Sequence, residues 1–193
     1  MQESVLGLEL SQDSSPKRGR NYLPKGSFKQ SITEALLPSR FFPIPEIHTR
    51  FEELKQRHKS QSLIHLEYNE KLAHQLYAAL DFLLVPSQFE PCGLTQMIAM
   101  RYGTLPIVHA TGGLKDTVFD PEDEKRKANG FVFKEWTTEA LHHALGRVFK
   151  SWRGEAPLIE TLTRHGMAAD WGWEKPAQEY LKLFQMQNQA LLK

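Results

Sequence analysis

Asp81-Phe82-Leu83-Leu84-Val85-Pro86-Ser87-Gln88-Phe89-Glu90-Pro91-Cys92-Gly93-Leu94, joined further on by Leu105-Pro106-Ile107-Val108-His109-Ala110-Thr111-Gly112-Gly113-Leu114, decides how this chain folds. Phe82, Leu83, Leu84 and Val85 form an apolar run closed by Pro86 and Ser87, which predicts a buried strand ending in a loop. Residues 93–102 then suit a helix, and 104–110, with Leu105, Ile107 and Val108, a second strand. Strand, helix and strand in alternation point to an α/β domain with a mostly parallel sheet flanked by helices. Glu90 and the paired glycines fall in the loops. Open α/β sheets bind ligands in such loops, at the carboxyl ends of parallel strands.

The composition is compatible with this. A chain of 193 residues is one domain or slightly more, long enough to bury about 70% of its unfolded surface. With 24 basic and 23 acidic residues there is no global pull toward nucleic acid or an anionic membrane. Glu3 and Glu9 interrupt the first residues, so no secretory signal is visible, and nothing approaches the roughly 18 apolar residues of a spanning helix. The single Cys92 forbids an internal disulfide and fits a reducing, cytoplasmic setting. His142 and His143 are adjacent and point apart, so no metal site is expected there.

Outward from the deciding stretch, residues 46–58 predict a helix with Ile47, Phe51 and Leu54 facing inward. Residues 62–66 follow as a strand, and 70–80 as a helix striped by Leu72, Leu76 and Leu80. Asn129-Gly130 turns into a last strand, Phe131-Val132-Phe133. Thr137 or Thr138 caps a helix reaching residue 150, 156–165 offers another, and a final helix runs to about residue 188 with Ala177, Tyr180, Leu181 and Phe184 in register. In the charged loop 120–127, residues 122–127 read as solvated. Before residue 44 the pattern weakens: Lys17, Arg18, Arg20, Lys25 and Lys29 form a basic run that suits a solvated segment. Residues 28–37 fit a helix through Ile32, Leu36 and Leu37, and the prolines and Arg40 in 37–43 make a poor central strand.

Residues 81–118, including PSQFEPCGLTQMIAMRYGTLPIV and ATGGLKDTV, resemble the C-terminal half of bacterial glycogen synthases and plant starch synthases. Two spaced motifs match in order and at a natural distance. The likeness extends more loosely from about Ile47 to the end and blurs before that. It implies a Rossmann-like domain of a GT-B glycosyltransferase, incomplete at its N-terminus. The division it suggests is 1–43 as a divergent, partly disordered segment, 44–168 as the nucleotide-sugar-binding domain, and 169–193 as a helix that packs on a missing N-terminal domain. One reading of 16–43 is a damaged or out-of-frame remnant.

The resemblance also implies a site. Glu90 stands where the family holds the donor glucose, assigning it to orientation and charge stabilisation of an oxocarbenium-like state rather than to nucleophilic attack. Cys92, Gly93 and Leu94 lead into a helix whose N-terminus favours an anion. Thr111, Gly112 and Gly113 give a second approach to the backbone, although any tight strand-to-helix turn also wants glycine. Tyr68 stands where the family lays a Tyr against the nucleobase, or else merely closes a strand. Arg20 and Lys25, before Gly26, have the spacing of the pair that grips the diphosphate, but no strand precedes them. Cys92 has no neighbouring base in sequence and reads as a packed or pocket-lining residue, not a nucleophile. Gln88 and His109 replace arginines usual in relatives, removing permanent charge beside the diphosphate, and Ile98 stands where related transferases carry a ribose-binding glutamate.

The implied activity is glucosyl transfer from ADP-glucose to the non-reducing end of an α-1,4-glucan, with this chain as the donor-binding half, a separate N-terminal synthase half as partner, and no cofactor beyond the donor. The alternative is a catalytically inactive fragment, or a nucleotide- or protein-binding module of the same fold. A few charged hydrogen bonds at about 1.5–3 kcal/mol each set against about 4–15 kcal/mol of lost rigid-body freedom leave an expected affinity for ADP that is millimolar at best.

Overall fold

The computed structural model describes residues 4–8, 32–36, 45–59, 62–66 and 69–191. In chain order the elements are β1 (Ser4–Leu8), β2 (Ile32–Leu36), α1 (Pro45–Arg57), β3 (Ile64–His65), α2 (Glu70–Ala79), β4 (Phe82–Val85), α3 (Thr95–Tyr102), β5 (Leu105–His109), α4 (Gly112–Thr117), β6 (Phe131–Phe133), α5 (Thr138–Gly154), α6 (Ala156–Ala168) and α7 (Glu174–Leu191). The strands form one sheet in the order β3-β2-β1-β4-β5-β6. Pairs β2–β3, β4–β5 and β5–β6 are parallel, whereas β1 runs antiparallel to both β2 and β4.

Alternation along the buried strands divides the core between the two faces of the sheet. Phe82, Leu84, Leu105, Ile107, Phe131 and Phe133 pack with Ala144 and Val148 of α5 and Ile159 and Leu162 of α6. On the opposite face Leu83, Val85 and Val108 meet Tyr77 of α2, Ala99 of α3 and Leu114 of α4. Both faces of β4 and β5 are covered, which is why they read as continuous apolar runs rather than alternating ones. Each fully buried Leu or Val contributes about 1.5–3 kcal/mol.

Polar ties fix how the helices meet the sheet. Asn69 accepts a hydrogen bond from Leu72 N and Thr137 from Ala140 N, capping α2 and α5. The buried hydroxyl of Thr104 lies 2.6 Å from Tyr77 O and 2.7 Å from Leu80 O, fastening the end of α2 to the entry of β5. Asp120 is buried: Oδ1 accepts from Glu122 N and from the Arg147 guanidinium, and Oδ2 from Val132 N.

Two expectations are corrected. The segment expected as a helix over 28–37 contains strand β2, whose partners include Ser4↔Leu36 and Leu8↔Ile32. Ile32 and Leu36 are four apart, a spacing that fits both the helical and the strand period. Helix α1 does form, but Ile47 and Leu54 are exposed rather than inward. It packs chiefly on β3, a strand of two residues that cannot cover its apolar stripe. The loop residues 122–127 are exposed as expected, and so is every described side chain of α7. Among the described residues no helix is long and apolar enough to cross a membrane.

Candidate functional site

The carboxyl ends of β4, β5 and β6 lie side by side, and the chain leaving β4 is pinned at its root. Trp136, just past β6, donates from Nε1 to Pro86 O at 2.9 Å. His109, the last residue of β5, lies 2.8 Å by Nδ1 from Ser87 O; a carbonyl only accepts, so Nδ1 carries the proton. The imidazole rests against Phe133 at 5.4 Å between ring centres. The loop that carries Glu90 therefore starts from a fixed base.

Glu90 is 2% exposed. Its Oε1 accepts from Gly93 N at 3.1 Å, closing the turn that leads into α3. Oε2 has no hydrogen-bond partner among the described residues. Gly93 sits at φ +65, and a side chain there would meet the Gln96 carboxamide at 2.7 Å. Leu94 occupies the cap position of α3 and offers no side-chain acceptor, so no side chain caps the first amides of that helix.

The glycine turn of α4 is built against this loop. A Cβ on Gly112, which has φ +44, would lie 1.6 Å from Glu90 O, and one on Gly113 would lie 1.8 Å from Cys92 O. Both positions need glycine because the backbone of 90–92 fills the space where a side chain would begin. Beneath the contact lies Gln96, wholly buried, donating from Nε2 to Gly93 O at 2.9 Å and to Thr117 Oγ1 at 3.0 Å. Thr117 Oγ1 donates in turn to Gly113 O at 2.6 Å.

The structure thus brings together Glu90, Gly93, Leu94, Thr111, Gly112 and Gly113 in two touching turns. Cys92 is corrected in part. Its side chain is exposed rather than packed, since the residue meets Gly113 through its carbonyl and turns its thiol outward. Leu94 and Phe89 are also exposed. Arg20, Lys25 and Tyr68 lie outside the described residues. Gln96 and Trp136 were not singled out from sequence. Nothing in helical spacing marks a buried Gln, but an aromatic three residues past a strand's carboxyl end is a legible signal for Trp136. A cavity of about 300 Å³ between β6, α5 and the 120–123 loop shares no residue with these turns. Among the described residues no group of three His, Cys, Asp or Glu could hold a metal ion.

Chemically, the two turns present a buried carboxylate with one oxygen committed to the backbone and, beside it, helix amides without side-chain caps. Such a pair suits a ligand that has hydroxyls near an anionic group.

Residues 46–164 match the family model described as glycosyl transferases group 1. The chain is 42% identical over 153 residues to starch synthase 3, chloroplastic/amyloplastic, of Arabidopsis thaliana, covering 74% of this chain and 15% of that protein. It is 49% identical over 125 residues to a glycogen synthase of Marinobacter nauticus, covering 64% of this chain and 25% of that one. Among solved structures, the catalytic domain of starch synthase IV from Arabidopsis thaliana, bound to ADP and acarbose, superposes with a TM-score of 0.69 at 40% identity, over 75% of this chain and 30% of that one. Sucrose-phosphate synthase from Thermosynechococcus elongatus, at 23% identity and a TM-score of 0.56, shares the fold. The chain spans under a third of the length of each of the starch and glycogen synthases named here.

Proposed function

The chain belongs to the group 1 glycosyl transferases, and we propose that it supplies the donor-binding half of a glycogen- or starch-synthase-type glucosyltransferase acting on ADP-glucose. The observation that carries this reading is the interlock of the Glu90 turn with the Gly112-Gly113 turn, in a chain 40% identical to a starch synthase solved with ADP. Glu90 Oε2 takes a hydroxyl of the donor glucose, while Oε1 keeps the turn closed. The amides at the head of α3 and in the turn 111–113 face the diphosphate, with Thr111 contributing its hydroxyl. Arg20, Lys25 and Tyr68 complete the grip on diphosphate and base.

In the reaction, the bond from glucose C1 to the diphosphate oxygen breaks and ADP departs. C1 then bonds to a terminal 4-hydroxyl of the glucan, whose proton passes to the leaving phosphate. The groups of this chain bind, orient and stabilise charge. On this reading the acceptor surface comes from an N-terminal synthase half.

Calorimetric titration tests the donor site directly. The chain binds ADP and ADP-glucose with millimolar affinity, and Glu90→Ala or Gly93→Val abolishes the signal. Mixing the chain with a synthase N-terminal half yields glucosyl transfer to glycogen; absence of both binding and transfer overturns the reading.

A further inference from the structure

We propose that Gln96 is a positioning residue that ties the Glu90 turn to the glycine turn, so that the two loops of the donor site keep one relative placement. The significance for binding rests on the donor-site reading above; the tie itself does not.

The connection can be followed atom by atom. Glu90 Oε1 accepts from Gly93 N, Gly93 O accepts from Gln96 Nε2, Nε2 also donates to Thr117 Oγ1, and Thr117 Oγ1 donates to Gly113 O. The path runs from the carboxylate to the glycine turn with one side chain, Gln96, crossing from one helix to the other. Its orientation is fixed by its partners. Gly93 O can only accept, and the Thr117 hydroxyl proton already points at Gly113 O, so both need the amide nitrogen. A flipped carboxamide would set oxygen against two acceptors.

This orientation leaves Gln96 Oε1 buried with no partner among the described residues. At a site that only needed filling, an apolar side chain of the same length would leave no orphan. The glutamine is therefore explained by what its nitrogen does. Above it the turns are in direct backbone contact, Gly112 against Glu90 O and Gly113 against Cys92 O, and a contact so close transmits any displacement from one turn to the other. Gln96 holds from below what the glycines permit above.

The experiment uses the ¹⁵N-labelled full chain, with Gln96→Met as a volume-matched substitution and Thr117→Val as a second break at the other end of the tie. Gln96→Met removes the orphan oxygen but also leaves Gly93 O without its donor, so the two effects oppose and the melting temperature moves little. The Gly93 and Gly113 amide resonances nevertheless shift, and exchange at Gly93 N–H accelerates roughly three- to tenfold, the equivalent of one lost hydrogen bond. Thr117→Val gives the same signature, and the double variant adds little to either. ADP affinity falls by a similar factor with Glu90 intact. Unchanged Gly93 and Gly113 signals overturn the proposal, as does full additivity of the two substitutions. If the Gly93 signature appears while the unsubstituted chain binds neither ADP nor ADP-glucose, the tie stands and the donor-site reading fails.

Discussion

At Gly113 a single methyl group decides whether two loops can touch. The missing Cβ would sit 1.8 Å from Cys92 O, so Gly113→Ala forces backbone apart and costs on the order of 1–3 kcal/mol; urea unfolding measures it, and ADP binding falls with it. Thr104 tests a different tie. Its hydroxyl is the buried donor shared by Tyr77 O and Leu80 O, and Thr104→Val keeps the shape while removing the donor, a loss of about 1–3 kcal/mol in the same assay. The glycines and Glu90 were legible in the sequence because they stand in loops between apolar runs. Their purpose was less so. That glycine is needed at 112 and 113 for loop-on-loop contact depends on which backbone atoms lie opposite, and no local pattern encodes that. The hydrogen bond of Gln96 to Thr117 crosses from one helix to another, 21 residues apart, and is invisible for the same reason.

Among the elements, those packed on the sheet lie where their patterns put them, and so does α7, which has no such cover. Strands β4 and β5 and helices α3, α5 and α6 lie where the apolar spacing put them, because both sheet faces receive their side chains. Helix α1 has the right period but little to lie on, and β2 shares its apolar spacing with a helix until β1 supplies a ladder of backbone partners. The start of α7 makes a prediction of its own. Asp170 accepts from Gly172 N and pairs with Lys175, and these hold its carboxyl below the usual aspartate range, the backbone bond most of all. A depressed folded value means the turn gains from Asp170 above the ordinary aspartate pKa and loses that gain as pH falls through the lower, folded value. An NMR titration sees the Gly172 amide move together with the Asp170 carboxyl, below the range where exposed aspartates titrate; co-titration with ordinary aspartates contradicts the assignment.

Taken whole, the molecule divides into a covered α/β body and a helix that stands off it. Tyr180, Leu181 and Phe184 leave more than half of their surface in water, and a bare apolar ridge favours association. Leu181→Glu with Phe184→Glu lowers the apparent mass in sedimentation at high concentration yet shifts the unfolding midpoint of the body by no more than about 0.5 kcal/mol per site. The rim of the sheet behaves in the opposite way. β6 ends the sheet, and its outward Val132 N–H is already taken by Asp120 Oδ2. An incoming strand would find that rung of the ladder occupied and a carboxylate in its path. At this edge the Asp120 loop therefore stands in the way of fibril-like stacking, and a chain whose last helix invites company meets an obstacle to recruiting it through the backbone of β6.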